Sequence, residues 1–248
     1  MAADTDHAEY LASLANRHEE RLASALVTLE RRIADYVATA PLQDGQLFDL
    51  EWAINARPEI RRLIREEYLV EIDTIIRDYR EVHQQALGMI GTYGDVIDID
   101  SNIISQLQGL SFQGFADIGN EYLDVIAKQV YESTLTGATF AASVAAVQQA
   151  VGGGMARYAK QQVHDSLMQF DANVNVAVGK ASGATKWKYF GRLVEESRPH
   201  CIEHKGKVYT EEEIYEIWSG SWAGKIEGNP FVVRGGYNCG HHWRPVFD

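Results

Sequence analysis

The chain has 248 residues, 46% of them hydrophobic, a formal net charge of -12 and two cysteines. That is ample material for a buried core. It excludes a disulfide framework, and the acidic balance argues against a surface that grips nucleic acid mainly through its phosphates, which needs clustered Lys and Arg. No apolar run reaches the roughly 18 residues of a membrane span, and the first residues carry charge throughout instead of a basic start and an apolar core, so neither a membrane span nor a secretory signal is expected.

From about Asp6 to Val37, Leu11, Leu14, Leu22, Leu26, Leu29, Ile33 and Tyr36 recur at three- and four-residue steps, which predicts a long amphipathic helix. Pro41, Asp44 and Gly45 end it. A second helical stretch begins near Phe48 and carries Ile64, Tyr68, Leu69, Ile72, Ile75 and Ile76 at helical spacing, with Pro58 expected to interrupt or restart it. Gly91, Tyr93 and Gly94 punctuate again. The segment 92–115, a mixture of β-branched residues, Ser, Asn and Gly without a clear period, reads as an irregular connection with short helices. Residues 116–136 and 140–178 return to a helical pattern, the latter containing Gly152, Gly153 and Gly154. Each glycine costs a helix about 1 kcal/mol against alanine, so a turn or hinge is expected at 152–154.

After Gly183 the texture changes. Residues 185–248 hold four of the five Trp, both Cys, four of the eight His and nine basic against nine acidic residues, whereas 1–184 carry 14 basic and 26 acidic. The fold class expected is therefore mainly α, a long helical N-terminal body over 1–184 followed by a small α+β C-terminal module over 185–248. Within that module, Trp187 to Phe190 and Phe231 to Val233 suggest strands, and Thr210 with Glu213 forms a capping box that should open a short helix through Trp218.

The strongest chemical constellation is Cys201-Ile-Glu-His204 together with Cys239-Gly-His241-His242. A two-residue spacer lets Cys201 and His204 point into one turn, and a second pair further on could complete a tetrahedral shell, so zinc is the expected cofactor. Cys239 and His241 are closer than the usual spacing, which leaves His242 as an alternative ligand. Two other readings stand beside this one: unrelated core and surface residues, and a Cys201–Cys239 disulfide under oxidising conditions. Trp187, Trp218, Trp222 and Trp243 are expected to pack around the cluster, with an exposed aromatic docking patch as the alternative.

No catalytic residues are assigned. His164, Asp165 and Ser166 name the residue types of a triad, but neighbours on a helix point in different directions. The histidine pair beside Asn238 suggests a metal-dependent nuclease, yet only Trp243 to Asp248 follow it, too few for the helix that such a site requires.

The run RYAKQQVHDSLMQF, then WKYFGRLVEESRPHCIEHKGKVYTEEEI, IWSGSWAGK and PFVVRGGYNCGHHWRPV, resembles the C-terminal domain of the phage Mu F-like minor head proteins, also called head morphogenesis proteins. The resemblance covers about residues 155–248 and falls on Arg198, Cys201, His204 with Gly206, Asn238, Cys239 and His241. Gly240 departs from the arginine usual there. What the resemblance implies is a minor, non-enzymatic structural protein of the virion head. It would sit near the portal vertex after assembly in the host cytoplasm, and act in head morphogenesis or DNA delivery. Its expected partners are the portal protein and other head proteins, with self-association as a further expectation, and Leu22, Leu26, Leu29 and Ile33 are the first candidates for the docking face. The rival readings are a metal-dependent nuclease or other toxin-like enzyme, and a cellular zinc-binding adaptor.

Overall fold

Four long helical runs and a three-stranded sheet make up the computed structural model, which describes residues 2–92, 97–237 and 239–247. Helix α1 spans Ala2–Val37 and follows the apolar stripe to its last residue. After it, Leu42–Gln43 (β1) and Gln46–Leu47 (β2) form a small hairpin. Asp44 (φ 50°) and Gly45 (φ 78°) both take left-handed backbone, as a tight two-residue hairpin turn requires.

Helix α2 (Leu50–Leu63) is capped by the Asp49 carboxylate, which accepts from Trp52 N–H at 3.0 Å. It does not break at Pro58. The helix runs through that residue, into a π-helical segment at Ile64–Leu69 and on into α3 (Val70–Ile90). The one missing hydrogen bond and the ring clash cost about 3 kcal/mol. Burial of Ala53, Ala56, Ile60 and Leu63 on the other face offsets that loss.

Of the segment expected to be irregular, residues 101–115 are helical, because Ser101–Leu135 is one helix, α4, whereas residues 97–100 take no regular structure. Asp100 starts it, its carboxylate accepting from Asn102 N–H at 2.7 Å and its carbonyl from Ile103 N–H at 2.9 Å. Burial of Ile104 and Phe115 then outweighs the weak intrinsic propensity of the β-branched, Ser and Gly positions. Tyr93 and Gly94, the expected punctuation before it, lie outside the described residues.

The glycine triplet makes no turn. Helix α5 (Phe140–Gln148) passes through a π-helical segment, Gln149–Met155, into α6 (Ala156–Ala181). Val151 and Met155, both fully buried, recover roughly 1.5–3 kcal/mol each, which exceeds the glycine penalty. Gly154 also lets Tyr122 come close, since a Cβ there would overlap its hydroxyl.

The C-terminal strands form an antiparallel sheet in the order β4-β3-β5, from β3 (Lys186–Phe190), β4 (Val208–Thr210) and β5 (His242–Val246). Trp187 faces Pro245 and Tyr189 faces Trp243 across it. Pro245 is tolerated because β5 is an edge strand. Between the strands lie α7 (Pro199–His204), α8 (Glu211–Trp218) and α9 (Pro230–Val233). Helix α8 carries the complete capping box and ends where the sequence indicated. Phe231 to Val233 are helical, not extended: Asn229 caps them, its side chain accepting from Phe231 N–H at 2.9 Å with Pro230 in the first turn.

The chain divides into two compact units. One comprises Met1–Asn16, Ile76–Ser111 and His164–Asp248, and the other Arg17–Ile75 and Phe112–Val163. In the second, Leu22, Leu26, Leu29 and Ile33 are at most 4% exposed, so their apolar partner is the protein's own core and they offer no docking face. In the first, Gly179 of α6 lies against Trp187 and Pro245; a Cβ would come within 2.7–2.8 Å of both. Among the described residues no helix is long and apolar enough to cross a membrane.

Candidate metal centre

Helix α7 opens on Pro199 after an extended Arg198, which puts Cys201 on its buried face. Cys239 reaches the same place from the opposite direction. After α9 the chain reverses through Arg234 (φ 56°), Gly235 and Gly236 (φ 105°), and Cys239 N–H donates to the Gly236 carbonyl at 3.2 Å. A Cβ on Gly236 would collide with the Gly224 carbonyl, so that turn requires glycine. His241 immediately precedes β5, and its ring lies parallel to that of Tyr189 at 5.2 Å.

Cys201 Sγ and Cys239 Sγ are 3.9 Å apart, and His241 Nδ1 is 3.7 Å from Cys239 Sγ. The three ligand atoms lie within 4.8 Å of one another and all three residues are buried, an arrangement that could hold a metal ion. Zinc at ordinary Zn–S lengths sets its tetrahedral sulfurs ~3.8 Å apart, so the donor set fits zinc without rearrangement of the sulfurs. The Tyr189 hydroxyl sits 3.5 Å from each sulfur. Gly235 N–H donates to Cys239 Sγ at 3.3 Å. Gly235 also roofs the cluster: a Cβ would stand 2.6 Å from Cys201 Sγ, 2.8 Å from Tyr189 Oη and 2.9 Å from Cys239 Sγ.

The two thiols do not ionise alike. The hydrogen bond from Cys201 holds Cys239 well below the usual thiol range despite its burial, with His241 and the Arg234 guanidinium assisting. The same bond, and then burial, push Cys201 up. Of the two sulfurs the site therefore favours Cys239 as the thiolate, with the Cys201 thiol as its hydrogen-bond donor. Burial, and then the neighbouring sulfurs, push the Tyr189 phenol well above its ordinary value, so it stays a hydrogen-bond donor.

His204 and His242 stand elsewhere. His204 shares a 2.8 Å hydrogen bond with the Tyr209 hydroxyl, and burial lowers its pKa. His242, 1% exposed, accepts from the Arg244 guanidinium at 3.2 Å through Nε2 and sets Nδ1 3.4 Å from the Asp171 carboxylate, within ion-pair range but outside hydrogen-bond geometry. Burial brings its pKa down to about 4. The other Asp171 oxygen is 2.7 Å from His7 Nε2. Asp171 is a buried carboxylate between two imidazoles, and His7, 164 residues away, gave no local sequence signal. Of the other position that resemblance singled out, Asn238 lies outside the described residues. A Cβ at Gly240 would meet nothing within 4 Å.

Around the cluster pack the expected aromatics. Trp187 and Trp243 are buried and Trp218 and Trp222 half-buried, with Tyr189 4.6 Å from Trp243 and Trp187 5.1 Å from Phe231. The fold and site together define a mainly helical protein whose small strand module encloses a buried two-cysteine, one-histidine cluster. Comparison with protein-family models, curated proteins and solved structures finds no match to this chain.

Proposed function

We propose that this chain is a minor structural protein of a tailed-phage head, associated with the portal and acting in head morphogenesis or DNA delivery, and that its C-terminal residues are held in shape by one zinc ion. The metal half of this reading is carried by the convergence of Cys201, Cys239 and His241 within 4.8 Å in a buried position. The virion half is supported by the sequence resemblance over about residues 155–248, whose Cys and His positions supply those three ligands. A closed, buried centre suits a structural ion: zinc binding to thiolates and imidazole supplies folding free energy and brings no redox chemistry.

Portal and other head proteins are the partners this reading names. The stripe of α1 is buried, so contact with them falls on other surfaces. Protein made with zinc should contain about one equivalent of the metal, and removal by a strong chelator should lower its melting temperature. Expressed in infected cells with an affinity tag, the protein should purify with portal-containing particles. A metal-free protein of unchanged stability would refute the first half, and particles assembled and infectious without the protein would refute the second.

A further inference from the structure

Exposed apolar side chains scattered singly are ordinary, but several gathered on one concavity mark an interaction site. Such a gathering lies in the unit formed by Arg17–Ile75 and Phe112–Val163. An open cavity of about 320 Å³ lies there between the β1–β2 hairpin, the start of α2 and the end of α4, and its lining includes Asp44, Leu47, Phe48, Leu50, Thr134 and Leu135. Leu47 is buried, whereas Phe48 is 51% and Leu135 58% exposed. Leu42, the cross-strand partner of Leu47, and Ile54, one turn along α2 from Leu50, extend the apolar rim and are exposed as well. The walls are fixed before anything binds. Leu47 N–H donates to the Ala138 carbonyl at 3.0 Å and Gln46 bridges Thr139, which ties the hairpin to the turn after α4. The Asp49 cap fixes the first turn of α2, which carries Leu50. We propose that this cavity and its apolar rim dock a basic amphipathic helix of another protein, an inference that rests neither on the metal centre nor on the virion reading.

Charge chooses among the occupants. The segments 41–58 and 124–137, which supply the cavity and its rim, contain five acidic residues and two basic ones. Both basic residues are paired within those segments, Arg57 with Asp124 and Lys128 with Glu132. That leaves Asp44, Asp49 and Glu51 as an acidic surplus. A second copy docking through the same face would set this surplus against itself, because an isologous contact is self-complementary. Anionic lipid and nucleic acid are repelled for the same reason. A helix with Lys or Arg flanking an apolar row meets both demands. One large side chain enters the cavity, a second one turn away covers Ile54, and the cations face the acidic rim.

Full-length protein titrated with two synthetic helical peptides tests this. The peptides share leucines at i, i+3, i+4 and i+7 spacing and differ only in carrying Lys or Glu at the other positions. The Leu/Lys peptide should bind saturably at one per chain, weaken as salt rises, and bind at least about tenfold more tightly than the Leu/Glu peptide. Phe48→Ser and Leu135→Ser should each weaken it by about tenfold, whereas Leu110→Ser, at an exposed position outside the cavity lining, should leave it unchanged. Because a substitution could disturb the fold, wild-type protein labelled at Leu and Ile methyl groups gives an independent readout, with shifts expected at Leu50, Ile54 and Leu135 on adding the Leu/Lys peptide. No saturable binding, equal affinity for the two peptides, affinity unmoved by Phe48→Ser and Leu135→Ser, or methyl shifts that bypass these residues would overturn the proposal. A concentration-dependent dimer that Phe48→Ser abolishes would assign the surface to a second copy and overturn it too.

Discussion

Gly235 stands where no side chain fits, with both sulfurs and the Tyr189 hydroxyl inside 3 Å of any added Cβ. Gly235→Ala should therefore displace Cys201 or Cys239, abolish stoichiometric zinc binding and lower stability by several kcal/mol, on the order of a core overpacking lesion or more. Gly240→Ala, which meets nothing within 4 Å, should leave both unchanged. Metal analysis and thermal melts of the two variants check this pair. The Asp171 pair gives a pH signature. Burial pulls the His7 imidazole down, but the charge and hydrogen bond of Asp171 together raise it above 6.5. Burial likewise favours the protonated form of Asp171, yet His7, His242 and Arg234 hold it below 3.8. A raised histidine stabilises below its unfolded pKa and loses that contribution as pH rises through its folded value. A lowered carboxylate stabilises above its unfolded pKa and loses it as pH falls through its folded value. The pair should thus help most at about pH 5, and the stability lost in His7→Gln should peak there. A loss independent of pH would show that the ion pair is not formed. The two cysteines and His241 were legible in sequence because the chain has only two cysteines and His241 lies two residues from one of them. His7 and Asp171 meet across 164 residues, beyond any local pattern.

At the level of elements, periodicity located α1 and the capping box located α8, because in each case one local interaction decides the outcome. Punctuation misled where packing outweighed it. Pro58 sits exposed inside α2, and Gly152 to Gly154 are absorbed by one π-helical segment. If Pro58 is merely tolerated, Pro58→Ala should restore a helical hydrogen bond and raise stability by about 1–3 kcal/mol, measured by denaturant unfolding. No change would mean that the helix has relaxed fully around the ring. Phe231 to Val233 misled for a different reason. A run of one aromatic and two β-branched residues carries too little information to overrule the Asn229 cap and Pro230 that precede it. Burial of the α1 stripe makes Leu26→Asp and Ile33→Asp folding lesions, each costing more than about 3 kcal/mol. Normal melting of either variant would move the stripe back to the surface.

At the scale of the whole molecule, the acidic deficit belongs to residues 1–184, and the C-terminal 64 residues balance nine charges of each sign around an aromatic and sulfur core. A metal ion on the Cys201, Cys239 and His241 cluster would supply folding free energy to such a segment. We propose that the ion sits on Cys201, Cys239 and His241. X-ray absorption at the zinc edge of the purified full-length protein tests it most directly. About one zinc per chain is expected, with two sulfurs at about 2.3 Å and nitrogen neighbours at about 2.0–2.1 Å, and with the sulfur shell reduced in Cys201→Ser and Cys239→Ser. A zinc shell of light atoms alone, or a sulfur shell that survives both substitutions, would contradict it.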